Sequence, residues 1–466
     1  MSQLHESNLK RKLTNRHIQF ITIGGTIGTG LFLATGSAIF IAGPAVVLGY
    51  AIAGIFIFSI MRQLGEMNTE EPVAGSISHF ANKYWGGFPG FLAGWNYWIT
   101  YVMVGIAELT AMAVYVQYWF PTLETWKTSL FFFILTNIVN LTAVKAYAEV
   151  EFWFAIVKII AMCIMILTGV YVLIINPSLV DGATIKNLWS IANTYTGSSV
   201  FSGLFPYGVI GLITTMPIVI FAFGGLELVG IAAAETLDPK KTIPKAVNQV
   251  VSRILFLYIG SLVILLSLYR WNNLNASDSP FIMIFDEIGF KYAAWTLNFI
   301  ILTAALSVYS GCIYSNSRTI YGLALQNNAP QIFTKTTKNG VPIAAILLSG
   351  VLTFSVVPLN YFIPNWSEAF KIIMSFAVIC IIINWMLISI SHIKFKKQKK
   401  LENQKTSFPS PFYPYSNYLS LLFIFFILAV MALSSKLSMT KQVIALPIWV
   451  LTVYTGYKLS KIKNIR

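Results

Sequence analysis

The stretch Ile21-Thr22-Ile23-Gly24-Gly25-Thr26-Ile27-Gly28-Thr29-Gly30-Leu31-Phe32 decides the fold. It lies in the uncharged run from His17 to Met61, which is long enough to cross a bilayer twice and turns at Gly43-Pro44. A glycine costs a helix about 1 kcal/mol relative to alanine. Gly24, Gly25, Gly28 and Gly30 therefore make an unbroken helix expensive. A second stretch has the same character and adds a carboxylate: Phe221-Ala222-Phe223-Gly224-Gly225-Leu226-Glu227-Leu228-Val229-Gly230. Close helix packing through small residues explains either cluster alone. Together they say more, because they fall in the first and sixth apolar segments. Two five-helix halves of opposite orientation place corresponding elements there, and paired interruptions of this kind mark a transporter's substrate site.

The chain has 466 residues, 56% of them apolar and 11% charged, with a mean hydropathy of +0.70. Soluble globular chains carry about 25% charged residues. A water-soluble enzyme and a charge-rich disordered chain are both excluded. A crossing takes about 20 apolar residues. The apolar runs place crossings at 18–41, 44–64, 90–118, 128–145, 150–175, 210–235, 249–270, 292–323, 342–360, 366–391, 415–435 and 440–458. The fold class is all-α integral membrane, with 12 transmembrane helices.

Net charge is +15. Its placement argues against a nucleic-acid partner. The N-terminal tail, Lys240-Lys241-Lys245, the Lys394–Lys400 run and the C-terminal tail share one side, whereas Lys127, Lys186, Arg270, Lys291, Lys436 and Lys441 fall on the other. That asymmetry puts both termini in the cytoplasm, and the excess charge faces anionic headgroups of the bilayer. The N-terminus shows no cleavable signal pattern, so the first crossing is expected to serve as signal and anchor. Cys163, Cys312 and Cys380 lie inside crossings, and His5, His17, His79 and His392 are scattered, so no metal and no cofactor is expected.

The organisation follows: a tail over 1–17, a ten-helix core over 18–391 (halves 18–175 and 210–391), a linker over 392–414, helices 11 and 12 over 415–458, and a tail over 459–466. The polar stretch Asn193-Thr194-Tyr195-Thr196-Gly197-Ser198-Ser199 is expected to be a loop, and Gly65–Pro89 a short segment packed on the bundle. Unwound backbone at mid-membrane depth is tolerated where it lines a cavity. Freed N–H groups suit a carboxylate and freed carbonyls an ammonium, so a small zwitterion is the natural ligand.

The motif Gly24 to Phe32 resembles the first-span motif of the amino acid–polyamine–organocation superfamily. Met61-Arg62-Gln63-Leu64-Gly65-Glu66-Met67, Glu71-Pro72-Val73-Ala74-Gly75-Ser76, Gly94-Trp95-Asn96-Tyr97-Trp98, Ala107-Glu108-Leu109-Thr110, Glu151-Phe152-Trp153-Phe154-Ala155 and Phe223-Gly224-Gly225-Leu226-Glu227-Leu228 are similar to its bacterial amino acid transporter family. The motifs occur in order over about residues 9 to 460. Asn137 to Thr142 and Thr303 to Arg318 look most like the aromatic amino acid permeases, although proline and GABA carriers share most of these motifs. The resemblance implies the 5+5 inverted-repeat fold first described for a sodium-coupled leucine transporter, with two peripheral helices. It further implies proton-coupled uptake across the bacterial inner membrane by a monomer or weak oligomer. The substrate carboxylate would meet Thr26, Gly28, Thr29 and Gly30, and its amino group the carbonyls of Phe221, Ala222 and Gly224. Phe221 would cover the substrate from outside, and Gly224 would leave room for a large apolar side chain.

Glu108, Lys158, Glu227 and Arg318 lie well inside the expected crossings. A charge at mid-bilayer costs at least about 2.5–3.5 kcal/mol, so each must face the bundle interior. Lys158 is the expected coupling residue: the resemblance makes it a tethered replacement for a bound ion between crossings one, five and eight. The alternative is a permanently charged lysine bonded to first-span carbonyls. Glu108 is expected beside the substrate as a proton site or hydrogen-bond donor. Glu227 is expected either to transfer protons or to hold the sixth-span break open by capping freed N–H groups. Glu66 and Arg318 are expected to pair as a cytoplasmic gate. Exchange remains the alternative to symport. A channel or an integral-membrane enzyme is the distant alternative, though no nucleophile, metal cluster or Walker loop accompanies the carboxylates.

Overall fold

The computed structural model describes residues 13–141, 144–189, 203–274, 279–287, 291–363, 365–434 and 439–463. The tail residues 1–12 with His5, the polar stretch 193–199, Lys436 and residues 464–466 lie outside them. The described chain is helical, with one isolated bridge between Leu13 and Thr236.

The helices are α1 Asn15–Thr26, α2 Thr29–Phe32, α3 Ala34–Ala42, α4 Val46–Glu70, α5 Ser76–Tyr84, α6 Gly87–Gln117, α7 Thr125–Asn140, α8 Val144–Ile174 and α9 Gly208–Phe223. They continue with α10 Leu228–Ile231, α11 Pro239–Leu268, α12 Pro280–Glu287, α13 Lys291–Leu325, α14 Ile343–Thr353, α15 Val356–Phe362, α16 Trp366–Leu401, α17 Tyr415–Leu433 and α18 Thr440–Lys463. Among the described residues, 10 helical runs are long and apolar enough to cross a membrane. Two of the expected crossings fall short of that length. The first is cut after Thr26, and the fourth, α7, has 16 residues. The turn expected at Gly43-Pro44 is present, with Gly43 at φ 63°.

α1 begins with a capping box in which Thr14 and His17 bond each other's backbone N–H. It ends because Ile27 is extended and Gly28 adopts φ −144°, ψ −148°. α9 ends at Gly224, and Gly225 turns the chain at φ 106°, a conformation that favours glycine. The two breaks then pack backbone on backbone. A Cβ on Gly30 would lie 2.5 Å from the Ala222 Cα, and one on Gly225 would fall on the Gly25 carbonyl oxygen. Tyr258 of α11 ties the pair together, its hydroxyl reaching the carbonyls of Ala222 at 2.8 Å and Thr26 at 3.1 Å.

α6 is the central post, packed on α13 and α16. Gly94 admits Leu323 there, and Asn96 donates to Cys380 O at 2.8 Å and Asn384 Oδ1 at 2.9 Å. α17 and α18 are peripheral and turn Leu422, Phe425, Ile444, Ile448 and Leu451 outward. Apolar side chains need no cover where the surroundings are lipid.

Two expected boundaries move. α16 continues to Leu401, so the Lys394–Lys400 run is helical rather than linker. α18 continues to Lys463, into the expected tail. The remaining linker is strapped to α4. Arg62, Glu66 and Glu70 recur every four residues and so share one helix face. Arg62 donates to Pro409 O at 2.5 Å, and Glu70 accepts from Ser407 N and Oγ, both at 2.7 Å. Glu66 is wholly buried and accepts from His392 at 2.9 Å, Lys396 at 2.8 Å, Thr406 at 2.5 Å and Ser410 N at 2.6 Å. Just past α4, burial opposes the charge of Glu71. Its bonds with His79, Lys83 and Tyr84 outweigh that and hold its carboxyl down at about 2.

Two outcomes are expected. Gly30→Ala should destabilise the fold by about 1–3 kcal/mol, because the atom it meets is backbone and cannot swing aside. A melting curve in detergent should place it below Gly350→Ala, whose new Cβ meets nothing nearer than 3.6 Å. The second outcome concerns Glu71, whose folded pKa is depressed. Its stabilisation is complete above the ordinary carboxylate range and is lost as pH falls toward about 2. Glu71→Gln should flatten the acid side of a stability-against-pH curve between those limits and leave the neutral side parallel to that of the unaltered protein.

Candidate functional site

A narrow cavity lies where the two breaks meet. Of the residues expected to bind substrate, Thr26, Gly30, Glu108, Phe221 and Gly224 line it. Gly28, Thr29 and Ala222 stand immediately behind this lining. Gly28 is pressed between Val308 and Glu108, and Thr29 bonds Glu108 Oε1 through its N–H at 3.3 Å and its hydroxyl at 2.8 Å. The Ala222 carbonyl accepts the Tyr258 hydroxyl, which occupies one of its two lone pairs. Glu108 Oε2 has no hydrogen-bond partner. One carboxylate oxygen is thus fixed to the start of α2, while the other remains open beside the cavity.

Phe221 packs edge-on against Phe370, ring centres 6.1 Å apart. Gly224 leaves space toward Ile381, whose Cδ1 would be 3.0 Å from an added Cβ. Tyr101 also lines the cavity, a residue that sequence reasoning missed because it reads as one aromatic among many in α6.

Lys158 lies behind α1. It is wholly buried, and its ammonium donates to Gly24 O at 2.7 Å, Ile27 O at 3.1 Å and Ser307 Oγ at 2.9 Å. An ammonium has three N–H groups, and each has an acceptor. The carbonyls are the ones α1 frees by stopping at Thr26, so the break and the lysine satisfy each other. Ser307 and Glu151, joined by a hydrogen bond, were legible only as motif members; the seven-residue spacing of Glu151 and Lys158 puts them on one helix face, but nothing in the sequence brought Ser307 to them.

Glu227 follows the second break by one turn. Its carboxylate is buried and turned back toward the backbone N–H groups of Gly225 and Glu227 at the break. The Tyr101 hydroxyl and Trp385 indole N–H also face the carboxylate.

The expected gate pair is corrected. Glu66 faces α16 and the strap, as described above. Arg318 pairs instead with Glu235 at 2.9 Å, which also accepts the Tyr314 hydroxyl at 3.1 Å. Glu235 ends the 3-10 turn Ala232–Glu235 that continues α10, and its backbone pairs with Leu13. The helix faces decide the partners: Arg318 of α13 meets the end of the broken sixth segment, whereas Glu66 is turned toward α16. Among the described residues, no group of His, Cys, Asp and Glu could hold a metal ion.

The family model for amino acid permeases matches residues 17–465. The aromatic amino acid transport protein AroP of Salmonella typhimurium strain LT2 is 50% identical over 456 residues, covering 98% of this chain and 96% of that protein. AroP of Escherichia coli K12 is 48% identical over 455 residues, 98% of this chain and 96% of its own. The amino-acid permease AapA of Bacillus subtilis is 40% identical over 454 residues, 97% and 95% respectively. A helical bundle with two glycine-broken helices meeting at an internal cavity, matched along nearly its whole length, belongs to the amino acid permease family.

Proposed function

We propose that this chain imports aromatic amino acids together with protons, by alternating access across the bacterial inner membrane. The observation that carries the reading is the meeting of the two broken helices at a cavity bordered by Glu108, with Lys158 bound to the carbonyls behind it. The near-full-length likeness to proteins named for aromatic amino acid transport supplies the substrate class. Twelve crossings in a 5+5 inverted repeat, with both termini cytoplasmic, account for the two breaks in matching positions. The protein would work as a monomer or weak oligomer.

In this reading the substrate carboxylate meets Thr26, Gly28, Thr29 and Gly30, where α2 begins, and takes the place that Glu108 Oε1 holds on the Thr29 N–H in this structure. The amino group meets the carbonyls of Phe221, Ala222 and Gly224, and the ring occupies the space above Gly224. Phe221 closes the site from outside. Glu108, Glu227 and Lys158 are the proton-handling groups, and the pair Arg318–Glu235 takes the gate role that Glu66 cannot fill. One observation favours a second reading, amino acid exchange. All three Lys158 N–H groups have acceptors, as expected of a permanently charged structural lysine.

Uptake into proteoliposomes separates the two. With an acidic exterior, labelled phenylalanine should accumulate, a protonophore should abolish the accumulation, and tyrosine should compete better than proline or GABA. Exchange against internal amino acid without pH-driven accumulation would establish the second reading. Lys158→Ala should abolish concentrative uptake; undiminished accumulation would remove it from the coupling machinery. Gly224→Ile should weaken phenylalanine transport more than transport of small amino acids, and equal losses would overturn the placement of the ring.

A further inference from the structure

Glu151 lies two helical turns before Lys158 on the same face of α8 and is wholly buried. Its Oε1 accepts the hydroxyl of Ser307, and its Oε2 has no hydrogen-bond partner. Ser307 accepts an N–H from Lys158 at 2.9 Å. The hydroxyl has a single hydrogen. Its other acceptor, Gly24 O, is 3.5 Å away, so the hydrogen points to the carboxylate. The sequence of groups is therefore ammonium, hydroxyl, carboxylate, each donating to the next. Gly24 leaves room for the approach, since an added Cβ there would fall on Glu151 Oε1.

Each unmet oxygen of a buried carboxylate carries a desolvation cost. Glu66 avoids it with four donors. Glu151 carries it at Oε2 beside the Lys158–Ser307 chain, as Glu235 carries it at Oε2 while its other oxygen pairs with Arg318. The chain near it also opens to the outside of the bundle. Glu149, two residues earlier, is 39% exposed and bonds Arg16 at 3.0 Å and His17 at 3.1 Å.

We propose that Lys158, Ser307 and Glu151 form a proton relay, in which Glu151 takes the proton that Lys158 gives up and releases it at the end of the bundle where α8 begins. The proposal rests on the symport reading. In the step, a Lys158 N–H proton passes to Ser307 Oγ as the Ser307 hydroxyl proton passes to Glu151 Oε1. One N–H and one O–H bond break, and two O–H bonds form. Ammonium and carboxylate become amine and carboxylic acid, so the net charge is unchanged. Glu151 then gives its proton to water, and the amine takes the next proton from the opposite side. The surrounding groups fit this. α13 brings Ser307 and Cys312, α1 brings the Gly24 backbone, and Glu108 of α6 lies beyond Lys158. On α11, Arg253 is engaged with Gln19 and Tyr258 with the Thr26 carbonyl.

The test uses the full chain in proteoliposomes, with labelled phenylalanine, an inward proton gradient and a parallel counterflow assay. Glu151→Gln keeps the side-chain size and an acceptor oxygen but cannot take up a proton. It should lose pH-driven accumulation while counterflow exchange remains measurable. Ser307→Ala should do the same, and Ser307→Thr, which restores the hydroxyl, should recover accumulation. Wild-type accumulation in Glu151→Gln or in Ser307→Ala would overturn the relay and leave symport standing. Parallel loss of accumulation and exchange would also overturn it, because a structural role predicts that pattern. If Glu151→Gln fails to fold, the Ser307→Ala and Ser307→Thr pair decides: equal accumulation in both overturns the relay. A native protein without pH-driven accumulation would overturn the symport reading itself, and the relay with it.

Discussion

Where α1 and α9 stop, peptide groups rest directly on peptide groups. Gly30 against Ala222 and Gly225 against Gly25 leave no room for a Cβ, and this contact sets the depth and rotation of both helices. It also has a polar consequence. Each break frees backbone N–H and carbonyl groups that cannot be left unmet in a membrane interior. Tyr258 answers the carbonyls of Thr26 and Ala222, Lys158 those of Gly24 and Ile27, and Glu108 the N–H of Thr29. The polar side chains of α6, α8 and α11 are thus placed by the needs of a backbone that the glycines interrupt.

The buried carboxylates divide by how fully they are met. Glu66 accepts four hydrogen bonds and holds the linker against α4 and α16. Glu235 accepts Arg318 and Tyr314 on one oxygen. Glu108, Glu151 and Glu235 each keep one oxygen unpartnered, and Glu227 turns its carboxylate to the backbone of the break it follows. Glu108 and Glu151 stand beside the breaks and the lysine, Glu235 beside Arg318, and the saturated Glu66 at the linker strap. A carboxylate with an unpartnered oxygen can gain a proton without losing an existing bond, which the strapped Glu66 cannot.

Several features were legible in the sequence for identifiable reasons. The glycine clusters marked both breaks, because the cost of glycine in a helix is local. The uncharged runs marked the helices, and the intramembrane charges marked Lys158 and Glu108 as inward-facing. The reading went wrong where partners had to be chosen. Glu66 and Arg318 are both charged and both near helix ends, which made them a plausible pair, yet α13 turns Arg318 to Glu235 and α4 turns Glu66 to His392 and Lys396. The lysine run together with Pro409, Pro411 and Pro414 reads as a linker, but the prolines lie beyond the run, lysine is a good helix former, and α16 carries it to Leu401.

By itself, then, the sequence determined that this chain is a helical membrane protein interrupted at two places, because apolar length and glycine content act residue by residue. Only the tertiary structure decided what meets those interruptions. Whether Ser307 stands between Lys158 and Glu151, or Tyr258 between Thr26 and Ala222, depends on the rotation and depth of helices far apart in the chain. Packing fixes those quantities, and no local spacing of residues encodes them.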